Sequence, residues 1–168
     1  MYIGLISDTH GVFDPEFRKF LEPVDQLWHA GDFGGDENFM KEIAAFKPLT
    51  GVCGNCDSHS IRYDYPLHQF FECEGMSVLM THIGGYPGHY DMRARALIES
   101  YRPQIFVCGH SHILKVIFDE HYQMLTMNPG ACGIQGWHQS RTALRFHIDN
   151  GQIHDMEVFD LPRASFKK

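Results

Sequence analysis

The chain reads as an α/β protein with parallel strands in its first half and antiparallel hairpins in its last third. Three observations predict this. Apolar strand-like runs alternate with capped amphipathic segments from residue 2 to residue 53. An Asn150-Gly151 pair, a strong signal for a two-residue hairpin, separates two long β-rich runs near the end. Five short polar clusters follow or close apolar runs: Asp8-Thr9-His10, Gly31-Asp32, Gly54-Asn55-Cys56-Asp57, Thr81-His82 and Gly109-His110-Ser111-His112.

The elements follow in order. Tyr2 to Ser7 reads as a buried strand. Asp14 suits a helix cap and Pro15 the first helical position, with Phe17, Phe20 and Leu21 on one face and Pro23 as the stop. Gln26 to His29 is a short strand. Asp36 caps a second helix whose apolar positions are Phe39, Met40, Ile43 and Phe46, closed by Pro48. Leu49 to Cys53 is a third strand, so the segment is β-α-β-α-β, which implies a parallel sheet with right-handed crossovers. Strands near Phe70-Phe71 and from Met76 to Met80 precede a helix from about Asp91 to Tyr101, ended by Pro103. Ile105 to Cys108 is another buried strand. Leu114 to Phe118 and Met124 to Met127 form one hairpin, Thr142 to Ile148 and Ile153 to Phe159 another.

The 168 residues fit one domain over 1–161 with a polar, frayed tail over 162–168. Hydrophobic residues make up 43% and charged residues 21%, the balance of a folded soluble protein. No apolar run approaches a membrane span, and the first strand starts too early for a signal peptide. The net charge of −7 argues against a broad basic patch for nucleic acid or an anionic membrane. It does not argue against a small phosphorylated substrate, because bound metals supply positive charge locally. Five scattered cysteines argue against a disulfide framework and for a reducing, cytoplasmic setting. Of the 12 histidines, His68, His121, His147 and His154 read as surface residues.

Every polar cluster falls at the carboxyl end of a predicted strand. In open α/β sheets sites form beyond those ends, so clusters scattered in sequence converge in space. Asp8 with His10, and His110 with His112, each place two side chains on one side of an extended segment. The clusters offer carboxylates, an amide and imidazoles, enough to hold two divalent cations side by side, a recurring device for hydrolysing phosphate esters. Each motif alone has a plain turn as its alternative; the ordered set carries the inference. His29, three residues before Asp32, reads either as a group that orients a ligand or as a strand histidine.

The ordered set Asp-x-His, Gly-Asp, Gly-Asn, His and Gly-His-x-His over residues 8–112 resembles the calcineurin-like metallophosphoesterase superfamily. Length and the later Asn128-Pro129-Gly130 are similar to its small single-domain bacterial and archaeal branch. The resemblance implies a four-layer α/β/β/α sandwich, two mixed sheets flanked by helices. It implies that Asp8, His10, Asp32 and His112 hold one metal, and Asp32, Asn55, His82 and His110 the second, with Asp32 bridging. The implied activity is that of a dimetal phosphoesterase, a phosphodiesterase before a monoesterase, working by in-line attack of a metal-bridging hydroxide. Mixed nitrogen and oxygen ligands suit manganese first, with iron, nickel or zinc as the other choices.

One position departs from the family pattern: its Gly-Asn-His becomes Gly54-Asn55-Cys56. The missing imidazole contacts phosphate or protonates the leaving group in the family, so Cys56 joins Asn55 and His82 as a candidate catalytic residue. Cys53 and Cys56 also form a C-x-x-C, but no second pair and no thioredoxin-like context accompany it. The segment Ile83 to Tyr90, rich in glycine with two tyrosines and a histidine, is either a substrate-facing loop or a plain connection. The alternative function is a metal-retaining, non-catalytic scaffold resembling the retromer's phosphoesterase-like subunit. An exposed sheet edge also offers a route to a homo-oligomer.

Overall fold

In the computed structural model, residues 1–163 are described; of the tail expected over 162–168, residues 164–168 lie outside them. Ten strands and four helices run in the order β1 (Tyr2–Ile6), α1 (Pro15–Leu21), β2 (Gln26–His29), α2 (Glu37–Phe46), β3 (Leu49–Gly51), α3 (His59–Asp64), β4 (His68–Cys73), β5 (Met76–Thr81), α4 (Met92–Tyr101), β6 (Ile105–Val107), β7 (Leu114–Asp119), β8 (Met124–Pro129), β9 (Ser140–Asp149) and β10 (Gln152–Pro162). They form two five-stranded sheets, β10-β9-β1-β2-β3 and β4-β5-β6-β8-β7. Both are mixed. β1, β2 and β3 pair in parallel and β9 lies antiparallel to β1. β6 lies parallel to both β5 and β8, with antiparallel edges at β4 and β7.

The layers follow from period-2 alternation on the strands. Ile3, Leu5 and Trp28 of the first sheet meet Val78, Met80, Ile105 and Val107 of the second in the central core. The opposite faces bury Ile6 and Leu27 against Phe17, Leu21, Phe39, Ile43 and Ile61 of α1, α2 and α3. Leu79 and Phe106 pack against Ala94 and Ile98 of α4. Helices therefore cover both outer faces, and the four-layer α/β/β/α sandwich is observed.

The helix starts differ from their sequence reading in one place. Asp36 and Asp91 accept hydrogen bonds from backbone N–H groups in the first turns of α2 and α4. Asp14 stands at the N-cap of α1 but makes no such bond; its carboxylate pairs with the buried Arg141 of β9 instead. α3 had no counterpart in the sequence reading, because a six-residue helix with one buried side chain has no periodicity to detect. β3 ends at Gly51, though Val52 and Cys53 stay buried. β10 runs through Pro162, and Arg163 donates its N–H to the Gln139 carbonyl, so the chain is still paired where the tail was expected to start. Asn150 and Gly151 both have positive φ, 49° and 74°, as their hairpin turn requires.

Candidate metal centre

The carboxyl ends of β1, β2, β3, β5 and β6 open on one side of the molecule, and the five polar clusters sit there. Backbone bonds lock the loops together within and across sheets. Asp8 N–H donates to Gly31 O and His10 N–H to Asp32 O. Gly109 N–H donates to His82 O. His82 Nδ1–H donates to Ala30 O at 2.7 Å, which ties the second sheet to the first.

Five candidate ligands converge. Asp8 Oδ1 lies 3.9 Å from His10 Nε2, 3.8 Å from His82 Nε2 and 3.1 Å from His112 Nε2. Asp32 Oδ2 lies 3.9 Å from His10 Nε2 and 3.2 Å from His82 Nε2. Ligand atoms of Asp8, His10 and His112 fall within 4.8 Å of one another, as do those of Asp8, Asp32 and His82. Both carboxylates thus stand between the two imidazole sets, and Asp8 belongs to both groups. Asn55 and His110 lie at the rim. Both are exposed; the Asn55 amide turns toward Cys56 Sγ, and the His110 ring stands 5.3 Å from that of His82.

Each carboxylate has one oxygen held and one offered. Asp8 Oδ2 accepts from the Ser7 hydroxyl at 2.5 Å and from His110 N–H at 3.1 Å. Asp32 Oδ1 accepts from Cys56 N–H at 2.8 Å. The atoms on the other side have no hydrogen-bond partner: Asp8 Oδ1, His10 Nε2 and His82 Nε2 are buried and unpaired. A buried polar atom without a partner costs about 1–3 kcal/mol. Asp8 Oδ1 faces both imidazole nitrogens, at 3.9 Å and 3.8 Å, so the three orphaned atoms fit cations held on either side of that carboxylate. Oxygen and imidazole donors at this spacing suit divalent transition metals.

The imidazoles are presented in fixed tautomers. His82 spends Nδ1–H on the Ala30 carbonyl, which leaves Nε2 bare toward Asp32. His112 Nδ1 lies 3.2 Å from His138 Nδ1, and His138 Nε2–H donates to Gly133 O at 3.0 Å. A carbonyl only accepts, so His138 keeps its proton on Nε2 and takes that of His112 at Nδ1. His112 Nε2 is then bare toward Asp8. Sequence reasoning missed His138, which stands 26 residues after His112 with no motif around it.

Burial alone would raise the carboxyls and lower His82. The His112 and His82 imidazoles with the Ser7 hydroxyl outweigh burial at Asp8, holding it below the usual carboxylate range. His82 and the Cys56 N–H do the same at Asp32, and the two carboxylates raise His82 in return. His29 is wholly buried and neutral, its pKa pushed down to about 3 by burial. It accepts from Gly31 N–H at Nδ1 and donates from Nε2 to Thr9, whose hydroxyl donates to Phe33 O. It joins the loops carrying Asp8, His10 and Asp32 and touches none of the ligand atoms.

The extended-segment rationale for Asp-x-His and His-x-His is corrected by the backbone. Asp8, His10, Asp32, His110 and His112 have φ of 54°, 45°, 55°, 67° and 59°. Convergence comes from left-handed turns, not from strand alternation. Non-glycine residues held there store strain, which clusters at functional sites. Two glycines allow the close approaches: a Cβ on Gly54 would stand 2.0 Å from Asp32 Oδ1, and one on Gly109 2.0 Å from Ser7 Oγ. Asp57 closes the Asn55 loop by accepting from Gly34 and Gly54 N–H. Asn128 holds the last loop through Gly109 O and the Ser111 hydroxyl.

Comparison with known proteins places the chain in a family. The family model for the calcineurin-like phosphoesterase superfamily domain matches residues 1–151. The chain belongs to that superfamily. Phosphodiesterase MJ0936 of Methanocaldococcus jannaschii is 27% identical, over 79% of this chain and 84% of the relative. A solved archaeal phosphodiesterase has the same fold at a TM-score of 0.69, with 19% identity over 96% of this chain and all (100%) of the other. Wild-type Vps29 of Entamoeba histolytica, solved with Zn²⁺, has it at 0.73, with 14% identity over 96% and 99% of the two chains.

The loop from Ile83 to Tyr90 walls a cavity of about 330 Å³ with His110 and Lys115, and Lys115 Nζ sits 3.6 Å over the Tyr86 ring. Cys53 and Cys56 are both free thiols, one buried and one exposed.

Proposed function

We propose that this phosphoesterase-superfamily chain is a dimetal-dependent hydrolase of phosphate esters, with diesters preferred to monoesters. The observation that carries the reading is the set of three buried, unpartnered ligand atoms in which Asp8 Oδ1 faces both His10 Nε2 and His82 Nε2. Asp8, His10, Asp32 and His112 are assigned to one cation; Asp32, Asn55, His82 and His110 to the other, with Asp32 shared. Manganese is favoured over iron, nickel and zinc. Two divalent cations held there would supply Lewis-acid chemistry, lowering the pKa of a water and offsetting charge on a phosphoryl group.

The chain's own residues fix the rest. His82 and His112 present bare Nε2 atoms because their Nδ1–H groups donate to Ala30 O and His138 Nδ1. In this reading Asn55 and Cys56, both exposed at the rim, would meet the substrate, with the Cys56 thiol at the sequence position where the family pattern has a histidine. The five free cysteines are consistent with a reducing cytoplasm. Among the described residues no helix is long and apolar enough to cross a membrane.

The test is a panel of aryl and alkyl phosphomonoesters and diesters assayed with added Mn²⁺. Hydrolysis that Asp32→Ala abolishes supports the reading. The fold likeness to Vps29 favours the second reading, a metal-retaining scaffold, which predicts bound metal without turnover of any ester. The Cys56 role has its own test, a plot of log rate against leaving-group pKa. Cys56→His should raise rates on alkoxide leaving groups more than on aryl ones, by about 10²-fold at most. Equal slopes for both proteins remove Cys56 from the mechanism.

A further inference from the structure

A cavity of about 610 Å³ opens beside the metal centre, between His82 and the helix α4 surface. That volume suits a small organic ligand. Its walls combine two chemistries. Leu67 and Ile83, 64% and 40% exposed, and the half-buried Leu97 leave apolar surface open next to the site. Arg62 and Arg93 set two guanidinium groups around it.

Those two arginines differ from their neighbours. Arg18, Arg95, Arg141 and Arg145 each pair with a carboxylate. Among the described residues Arg62 and Arg93 do not; Arg102 and Arg163 also lack such a pair but stand away from this cavity. Arg62 is braced by backbone carbonyls, with Nε on Asp57 O at 2.9 Å and Nη2 on Asn55 O at 2.9 Å, so its charge is held in place and not neutralised. The Arg93 side chain is exposed and makes no hydrogen bond among the described residues. The acid in this wall, Asp91, has Oδ1 committed to the Arg93 and Ala94 N–H groups. In a chain of net charge −7, a cavity lined by two arginines against one acid, Asp91, is a local exception.

Resting on the phosphoesterase reading, we infer that this cavity takes one ester arm of the substrate, and that this arm has an apolar or aromatic body and carries an anionic group of its own. The leucines and Ile83 cover the body. Arg93 and Arg62 meet the second anion, a carboxylate or phosphate, while the reacting phosphorus lies at the metal centre past Asn55 and His82. A plain aryl diester fills the apolar wall and leaves the guanidiniums unused.

The experiment compares two diesters, p-nitrophenyl phenyl phosphate and its analogue with a carboxylate on the phenyl ring. Both phenols are quantified with Mn²⁺ present. The wild-type protein should prefer the carboxylated diester in kcat/KM by about tenfold, the size of one charge-assisted hydrogen bond. Arg93→Glu should abolish or invert that preference, and added salt should shrink it in the wild type. Turnover of both diesters with equal efficiency, or a preference that survives Arg93→Glu, overturns the inference and leaves the phosphoesterase reading standing. Turnover of neither diester, nor of any ester in the wider panel, overturns that reading and this inference with it.

Discussion

At the residue scale, the site is built by giving each polar atom a single job. Asp32 faces both imidazole sets through Oδ2, while His112 reaches only Asp8 through a bare Nε2. Asp32→Ala should therefore strip both metals, and His112→Ala should weaken mainly one. Elemental analysis of the dialysed proteins checks this; two tightly held metals in Asp32→Ala would sink the assignment. His29 does a different job. Its pKa falls from about 6.5 unfolded to about 3 folded. Between those values the unfolded chain binds the extra proton, so stability is present above the unfolded pKa and is lost as pH falls. From about pH 7.5 to about pH 5 this single group should remove about 2 kcal/mol of stability. Urea melts of the chelated protein should show that loss, and His29→Gln should lose less by about that amount. Equal losses in both proteins would show that His29 does not carry the effect.

At the element scale, two aspartates with the same sequence signature have separate fates. Asp36 caps α2 through the Phe39 N–H. Asp14 leaves α1 uncapped and neutralises Arg141, which is 4% exposed, donates Nε–H to Cys132 O and packs over the Phe17 ring. Asp36→Ala should cost about 1 kcal/mol, as a lost cap does. Asp14→Ala should cost about 2–3 kcal/mol, because it strands a buried cation. Urea denaturation of the two variants checks the order, and a larger loss in Asp36→Ala would contradict it. The Asp36 cap, the periodic helices α1, α2 and α4 and the Asn150-Gly151 turn were legible, because each rests on contacts close in sequence. α3 and the Asp14–Arg141 pair were not: one is too short for a pattern, and the other spans 127 residues.

At the scale of the whole molecule, the candidate metal centre is where the two sheets are joined at their carboxyl ends. Asp8, His10 and Asp32 follow strands of the first sheet; His82 and His112 follow strands of the second. Cations held there would cross-link the halves of the sandwich. Binding at a thousandfold excess over Kd stabilises by about 4 kcal/mol, which for a chain of this size shifts Tm by about 10 °C. Chelation should lower Tm by about that much, and Mn²⁺ should restore it. A melting temperature indifferent to both would mean that the loops hold their shape without metal.

The sequence by itself determined the α/β class, the placement of each polar cluster at a strand end and the candidate residues that the fold then gathers. Apolar alternation and turn chemistry are local, and Asp8, His10, Asp32, His82 and His112 stand in motifs with ordered spacing. The tertiary structure alone decided how those residues meet. The left-handed turns that aim Asp8 and His112, the His138 contact that sets a tautomer and the carbonyl of Ala30 that fixes His82 all depend on loops brought together by sheet pairing. So does the Arg62 and Arg93 cavity, whose walls come from three stretches of chain. Spacing in sequence names the donors; only packing sets the direction in which each lone pair points.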